Sequence, residues 1–447
     1  MRKYWNYSAI AFLLIFVLAA SVRVLYVRVS LPRNGNGAGA GAEMERAAVS
    51  LARTGELASV YDDETGPSAH VAPLYPFYLA MVYRVFGLPG DSGRLAQQLL
   101  SVFVVSLSIA LLPLLARRLR LSPWTGLAAA IGMALAPLNL WVECSGGWEQ
   151  PVSALALLGL VFAFAVLHDQ EWRSGWSLCL TGLLVGVLAL LSPSLLPVVA
   201  IAIVGEWLVQ SGRMRVFLGS LVIAVVAGVC VAPWMYRNHV EVGSACLRSN
   251  FGLELWVGNN PRANGKTFGT HAEDPRNLLF AIHPYSNAGE RAHLKVVGEA
   301  AYMREKQAQA LGWITAHPGE FAGLCLRRVQ IFWFPSADLW PPSTPAREMK
   351  AALWSLTGLG TMVGLLLLFA RRHPHAVLLL AAAIGPSLVY LITHVDSRYR
   401  YPIFAVSLLL CFEAVHQLLY WANRLSISVR NRGTRQMATA SADLNTF

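Results

Sequence analysis

Ten long apolar runs dominate the chain, near residues 8–28, 96–116, 123–143, 149–168, 176–192, 194–211, 216–236, 351–370, 375–394 and 401–421. Most are close to the about 20 residues that a helix needs to cross a bilayer core. In lipid every backbone N–H and C=O must be satisfied within the protein, so segments of this kind cross as helices. Only 14% of the residues are charged, against roughly 25% in a soluble domain. The expectation is an all-α polytopic membrane protein with about ten transmembrane helices. The fifth and sixth runs are one apolar stretch broken by Ser192-Pro193-Ser194, preceded by Arg173 and followed by Arg213 and Arg215. With basic residues at both ends it reads as a hairpin, the proline at its outer turn.

Arginine and lysine collect on the cytoplasmic side of membrane proteins. Placing the N-terminus inside puts Arg2, Lys3, Arg117, Arg118, Arg120, Arg173, Arg213, Arg215, Arg371, Arg372, Arg424, Arg430, Arg432 and Arg435 there. Both termini are then inside. The first run could be a cleaved leader ending at Ala19-Ala20-Ser21, but Arg23 and Arg28 follow at once and the apolar pattern continues between them, so it reads as a span. The formal charge of +11 sits at the ends of apolar runs rather than on a basic patch, which argues against nucleic acid as a partner. The six cysteines are scattered without a C-x-x-C pair, so neither a metal site nor a disulfide framework is indicated. Cys144 and Cys246 would both face outward and could bridge. No repeat of the transporter kind is visible.

The chain thus divides into a first span (1–28), a first outer loop (29–95), six spans (96–236), a second outer loop or small α-rich domain (237–350), three spans (351–421) and a polar, basic, disordered cytoplasmic tail (422–447). Both loops are far longer than a connection requires, so function is sought there.

The first loop opens on a Gly/Ala-rich run from Gly35 to Ala42. Met44, Ala47, Ala48 and Leu51 then fall at i, i+3, i+4 and i+7, one apolar helical face, with Gly55 as a stop. Glu43 and Glu45 occupy the first turn of this helix. There they complement the helix dipole, or one of them projects into a cavity as a general base. Asp62, Asp63 and Glu64 form an acidic turn that leaves a divalent metal possible without implying one. A short aromatic helix runs from about His70 to Gly87, with Tyr75 and Tyr78 suited to the headgroup level.

An acidic short helix ending in Thr54-Gly55, then Pro73-Leu74-Tyr75-Pro76 leading to Phe86-Gly87, resembles the first outer loop of the GT-C superfamily. These are membrane glycosyltransferases that take a sugar from a polyprenyl-phosphate carrier. Within it, the chain looks most like the bacterial protein O-mannosyltransferase and aminoarabinose-transferase group. The resemblance implies a GT-C type fold, residence in a bacterial inner membrane, and an acidic catalytic base early in the first loop. That position falls on Glu43, with Glu45 as the alternative. Many members carry Asp-Glu there, whereas this chain has Glu43-Met44-Glu45.

In the second loop, Asn250 to Pro261 reads as an extended stretch ending in a turn. His283-Pro284 and Asn287 precede a helix containing Gly298-Glu299-Ala300. A second helix after Pro318 carries Phe321, Leu324, Cys325, Ile331 and Phe332 on its apolar side and Arg327 and Arg328 on the other, as an interfacial helix would. The Gly258-Asn259-Asn260-Pro261 and Gly298–Met303 elements resemble those of the same bacterial group. The last outer turn, His394 to Pro402, puts Arg398 and Arg400 on the side that should be poor in cations, as Arg23, Arg28 and Arg237 also do. Cations gathered at one level imply an anion, and arginine grips phosphate oxygens with a two-pronged fork. Arg398-Tyr399-Arg400 before the final span also resembles the superfamily's carrier-phosphate site.

Together these imply a hexosyl transfer from a polyprenyl-phosphate donor to an extracytoplasmic acceptor (a glycan, lipid or protein of the envelope), with inversion. Arg398, Arg400 and Arg237 would hold the donor phosphate, and His70, Glu149, Asn259 and Tyr399 would line the substrate cavity. No cofactor is implied, and the partners are the lipid-linked donor, the acceptor and membrane lipid. The competing readings are a lipid-linked-sugar transporter or flippase and an inactive envelope scaffold of the same fold.

Overall fold

A computed structural model describes residues 9–31, 41–61, 64–136, 138–266, 281–340, 344 and 346–444. Arg2, Lys3, Asp62, Asp63 and most of the Gly35–Ala42 run lie outside the described residues. Among the described residues there are helices and two isolated bridges but no strand. Among the described residues six helices are long and apolar enough to cross a membrane: α1 (Ala9–Val29), α4 (Asp91–Arg118), α7 (Gln150–Asp169), α10 (Arg213–Glu241), α15 (Arg347–Ala370) and α18 (Tyr401–Leu444). Shorter apolar helices fill the other expected positions: α5 (Pro123–Leu135), α8 (Gly175–Leu191), α9 (Leu196–Val209), and α16 (Ala376–Ile384) continued by α17 (Ser387–Ile392). The protein is a multi-pass membrane protein. The bundle core is rich in alanine, with Ala129, Ala130, Ala381, Ala382 and Ala383 nearly or wholly buried. Small residues let helices approach closely where lipid offers no hydrophobic drive.

The break at Ser192-Pro193-Ser194 is present, a single 3-10 turn between α8 and α9. The run expected over 123–143 is divided into α5 and the six-residue α6 (Leu140–Ser145). The run at 375–394 is split where Gly385 and Pro386 interrupt it. The tail expected to be disordered instead continues α18 to Leu444; no proline follows Pro402 to stop it.

In the first loop, α2 (Ala42–Thr54) buries the expected face of Met44, Ala47, Ala48 and Leu51. They pack with Tyr75, Leu79 and Tyr83 of α3 (Leu74–Phe86) and with Leu253, Val257, Tyr302 and Met303 of the second loop. The two loops therefore share one apolar core. Tyr75 is inside it, its hydroxyl donating to the Gly146 carbonyl at 2.6 Å.

The second loop differs from the sequence expectation in three places. Residues Phe251–Gly258 form helix α11 rather than an extended stretch. Phe251, Leu253, Leu255 and Val257 alternate as a half-buried strand would, but packing overrides the pattern: Gly252 lets the helix rest on the Met303 backbone. Gly298, at φ 82°, divides the next helix into α12 (Ala288–Val297) and α13 (Glu299–Ala316); this left-handed backbone costs a non-glycine residue. On α14 (Pro318–Trp333), Arg328 is not on a polar face. It is buried, donating to the carbonyls of Gly258 and Leu391 and to Asn259 Oδ1.

Candidate active site

Gly41 precedes α2 in a left-handed conformation, φ 63°. A Cβ there would lie 1.9 Å from the Gly147 carbonyl oxygen. The start of α2 thus sits directly on the turn that leads into Glu149 and α7. This contact brings the first-turn carboxylates of α2 to the N-terminal end of the α7 span.

Glu43 and Glu45 then part company. Glu45 turns to Arg94, with Oε1 3.1 Å from Nη2. Glu43 faces two histidines, with Oε2 3.4 Å from His70 Nε2 and Oε1 3.8 Å from His283 Nε2. Both histidines are buried, whereas Glu43 keeps 26% of its side chain exposed. Nδ1 of His70 is 3.0 Å from the Tyr61 hydroxyl. Nδ1 of His283 accepts from the Tyr285 backbone N–H at 3.1 Å, so a neutral His283 carries its proton on Nε2, toward Glu43.

Burial raises the Glu43 pKa, but the charge and hydrogen bond of His70 and the charge of His283 outweigh it, holding the carboxyl at about 2. His70 is opposed by burial, yet Glu43's charge and hydrogen bond raise it above the usual histidine value. His283 is pushed down, first by burial. The site can therefore hold a carboxylate–imidazolium pair beside a neutral imidazole.

A second acid stands close by. Glu254 on α11 pairs with His394, Oε2 to Nε2 at 2.6 Å, and accepts from Asn250. Burial opposes its ionisation, but the hydrogen bond and charge of His394 overcome this and lower its pKa. Tyr399 stacks on Tyr390 at 4.3 Å and lies 5.7 Å from the His394 ring. Glu149, buried at the start of α7, leaves one carboxylate oxygen without a hydrogen bond. It interacts electrostatically with Arg248, Arg398 and Glu43.

The cations sort differently from the sequence expectation. Arg398 lies over the Trp148 ring at 5.0 Å and the Tyr399 ring at 5.4 Å, and its Nε is buried without a partner. Arg400 is buried and committed: it donates to the Trp333 and Trp354 carbonyls and Thr357 Oγ1, between two tryptophan rings. Arg237 donates to the carbonyls of Ser68 and Leu57 at 2.8 Å and so pins the first loop. Asn259 is likewise buried and committed, bonded to Leu255, Ile392 and Arg328.

Arg248, which no sequence motif marks, also stands at the site. It donates through Nε to the His70 carbonyl at 3.1 Å. The adjacent Ser249 is tied to Ala69 through backbone N–H to carbonyl at 2.9 Å, and Glu299 accepts from both Ala69 N–H and the Ser249 hydroxyl. These bonds hold Arg248 beside the Glu43–His70 pair. No periodicity marks a lone arginine in a loop, and only this cross-loop pairing reveals it.

Glu43, His70 and His283 offer ligand atoms within 4.8 Å of one another. One carboxylate and two imidazoles suit a divalent cation such as zinc. Glu43 and His70 could serve directly. The Tyr285 bond leaves Nε2 of neutral His283 as a donor, so that nitrogen would have to lose its proton side to the metal and the bond at Nδ1 would be given up.

A family model described as dolichyl-phosphate-mannose-protein mannosyltransferase matches residues 70–236, less than half of the chain. Two structures of the oligosaccharyltransferase of Archaeoglobus fulgidus align over nearly all of it. One, the enzyme AglB with an inhibitory peptide and a dolichol-phosphate, gives a TM-score of 0.53 at 15% identity, covering 94% of this chain and 52% of that one. The other, the apo form, gives 0.51 at 14%, covering 96% and 52%. The chain has the GT-C fold. It spans about half the length of these archaeal enzymes. ArnT from Cupriavidus metallidurans, solved with undecaprenyl phosphate, aligns more loosely, with a TM-score of 0.40 at 16% identity, over 91% of this chain and 78% of that one. No curated protein matches significantly by sequence. Within the GT-C fold, the matched stretch 70–236 contains His70, Trp148 and Glu149 and excludes Glu43, Arg248 and Arg398.

Proposed function

We propose that this GT-C protein is a glycosyltransferase of a bacterial inner membrane, moving one sugar from a polyprenyl-phosphate donor to a hydroxyl on an extracytoplasmic acceptor. The observation that carries the reading is Glu43, a partly exposed carboxylate held by two histidines beside Arg248 and the Glu149–Arg398 group. A base and cations in one neighbourhood suit nucleophilic displacement of a phosphate. The archaeal enzyme of the same fold was solved with a dolichol-phosphate, which supports the class of carrier.

Glu43 takes the acceptor's hydroxyl proton as the oxygen bonds to the anomeric carbon. The carbon–phosphate-oxygen bond breaks on the opposite face, and the carrier phosphate leaves with the electron pair, so the configuration inverts. A carboxyl held near 2 is a weak base toward a resting hydroxyl. It accepts the proton late, as the attacking oxygen becomes positive. Arg248 and Arg398 stabilise the charge that develops on the phosphate. Arg400 and Arg237, engaged with carbonyls, serve to hold the architecture.

The test is Glu43→Gln in purified protein. Transfer is expected to fall by about 10²–10⁴-fold, the usual contribution of a positioned acid or base, while lipid-linked donor still binds. Full transfer by this variant would remove Glu43 from the role. Donor movement across vesicles without transfer would favour a transporter.

A further inference from the structure

A cavity of about 520 Å³ opens between Lys266, the outer side of α14 and the chain that follows it. We propose that it binds the phosphate headgroup of an anionic glycerophospholipid as a resident, non-reacting ligand.

Three features carry this. The first is charge. Among the described residues, Lys266 and Arg327 line the cavity against one carboxylate, Asp338. Lys266 is only 8% exposed and is ion-paired with Asp338. Arg327 is exposed, no carboxylate among the described residues pairs with it, and its fork suits a phosphate, with the Gln330 amide on the same wall. The second is the apolar lip. Leu326 and Phe334 line the same cavity and are 73% and 37% exposed, as a surface meeting acyl chains requires. The third is level. The end of α14 rests on outer ends of spans: Phe332 stacks with Tyr390 at 6.2 Å, and Arg400 bonds the Trp333 carbonyl. A headgroup at that height reaches Arg327 while its chains remain in the bilayer.

The lining residues are distinct from Glu43, Arg248 and Arg398, so a lipid held here is not the one that reacts. The cavity does adjoin the turn bearing Arg398, because Val395 N–H donates to the Gly265 carbonyl at 3.0 Å. The proposal does not depend on the transfer reaction.

The test uses the full chain in phosphatidylcholine nanodiscs with a diazirine-bearing phosphatidylglycerol, followed by peptide mapping. Label is expected on residues 323–338, competed by unlabelled phosphatidylglycerol and not by extra phosphatidylcholine. Arg327→Gln should lower it by about fivefold, the effect of one basic residue near an anionic lipid surface. The paired change Lys266→Gln with Asp338→Asn avoids stranding a charge and should lower it as well. Unchanged labelling in both variants overturns the proposal. Preferential competition by undecaprenyl phosphate reassigns the pocket to the carrier, and competition by inorganic phosphate alone reassigns it to a free anion; either result also overturns it.

Discussion

The Oε2 atom of Glu43 lies 3.4 Å from Nε2 of His70, and the carbonyl of that same histidine accepts from Nε of Arg248 at 3.1 Å. One buried residue thus connects the proposed base to a proposed phosphate-binding cation. The consequences can be separated by mutation.

Arg248→Ala should weaken donor binding by about 10–100-fold, the usual range for a lost charged hydrogen bond, with the fold intact. Arg398→Ala should act in the same direction. Arg400→Ala should lower the melting temperature in detergent instead, because each stranded carbonyl costs roughly 1–3 kcal/mol. Donor affinity measured on the folded fraction separates the two classes. A normal donor affinity in Arg248→Ala would remove that arginine from the phosphate site.

Gly41→Ala places a methyl 1.9 Å from the Gly147 carbonyl oxygen, at a positive φ. The start of α2 must move, and Glu43 with it. A displacement near 1 Å can cost about 10²-fold in rate. Turnover should fall by that order while the spans stay folded, as seen by circular dichroism and transfer kinetics together.

Arg23 and Glu143 form a fully buried ion pair at 2.8 Å, and Arg23 also donates to the carbonyls of Ala19, Ala134 and Met133. This accounts for a cation within an apolar span. Glu143→Ala should destabilise by about 3–5 kcal/mol by leaving a buried charge, whereas replacing both partners with apolar residues of similar volume removes that charge and should cost only the stranded carbonyls of Ala134 and Met133, roughly 1–3 kcal/mol each. Thermal unfolding of the single and double variants checks it.

Chelation tests the trio of Glu43, His70 and His283. The Tyr285 N–H bond to His283 Nδ1 at 3.1 Å favours a donor at Nε2, so chelator-treated protein is expected to keep its transfer activity. Activity lost on chelation and restored by zinc or manganese would assign the trio to a metal.

The helical membrane bundle was legible because hydropathy is local: a long apolar run has few other stable states in water or lipid. The apolar face of α2 was legible for the same reason, since residues at i, i+3, i+4 and i+7 must share a side. The second loop was less so. Residues Phe251–Gly258 are too few for a helical period to declare itself, and packing on α13 decides their form.

The sequence by itself determined the membrane-spanning helices, the acidic first turn of α2 and the set of arginines that could meet an anion. It could not choose among them. Glu43 and Glu45 lie about 200° apart around their helix, and only the seating of Gly41 on Gly147 fixes which one meets the histidines. Arg400 and Arg237 are engaged because carbonyls distant in sequence lie within their reach. Arg248 reaches the site because two loops are stitched together at Ala69 and Ser249. An arginine's charge is written in the sequence, but its availability depends on which acceptors surround it in space, and that is settled only by the tertiary fold.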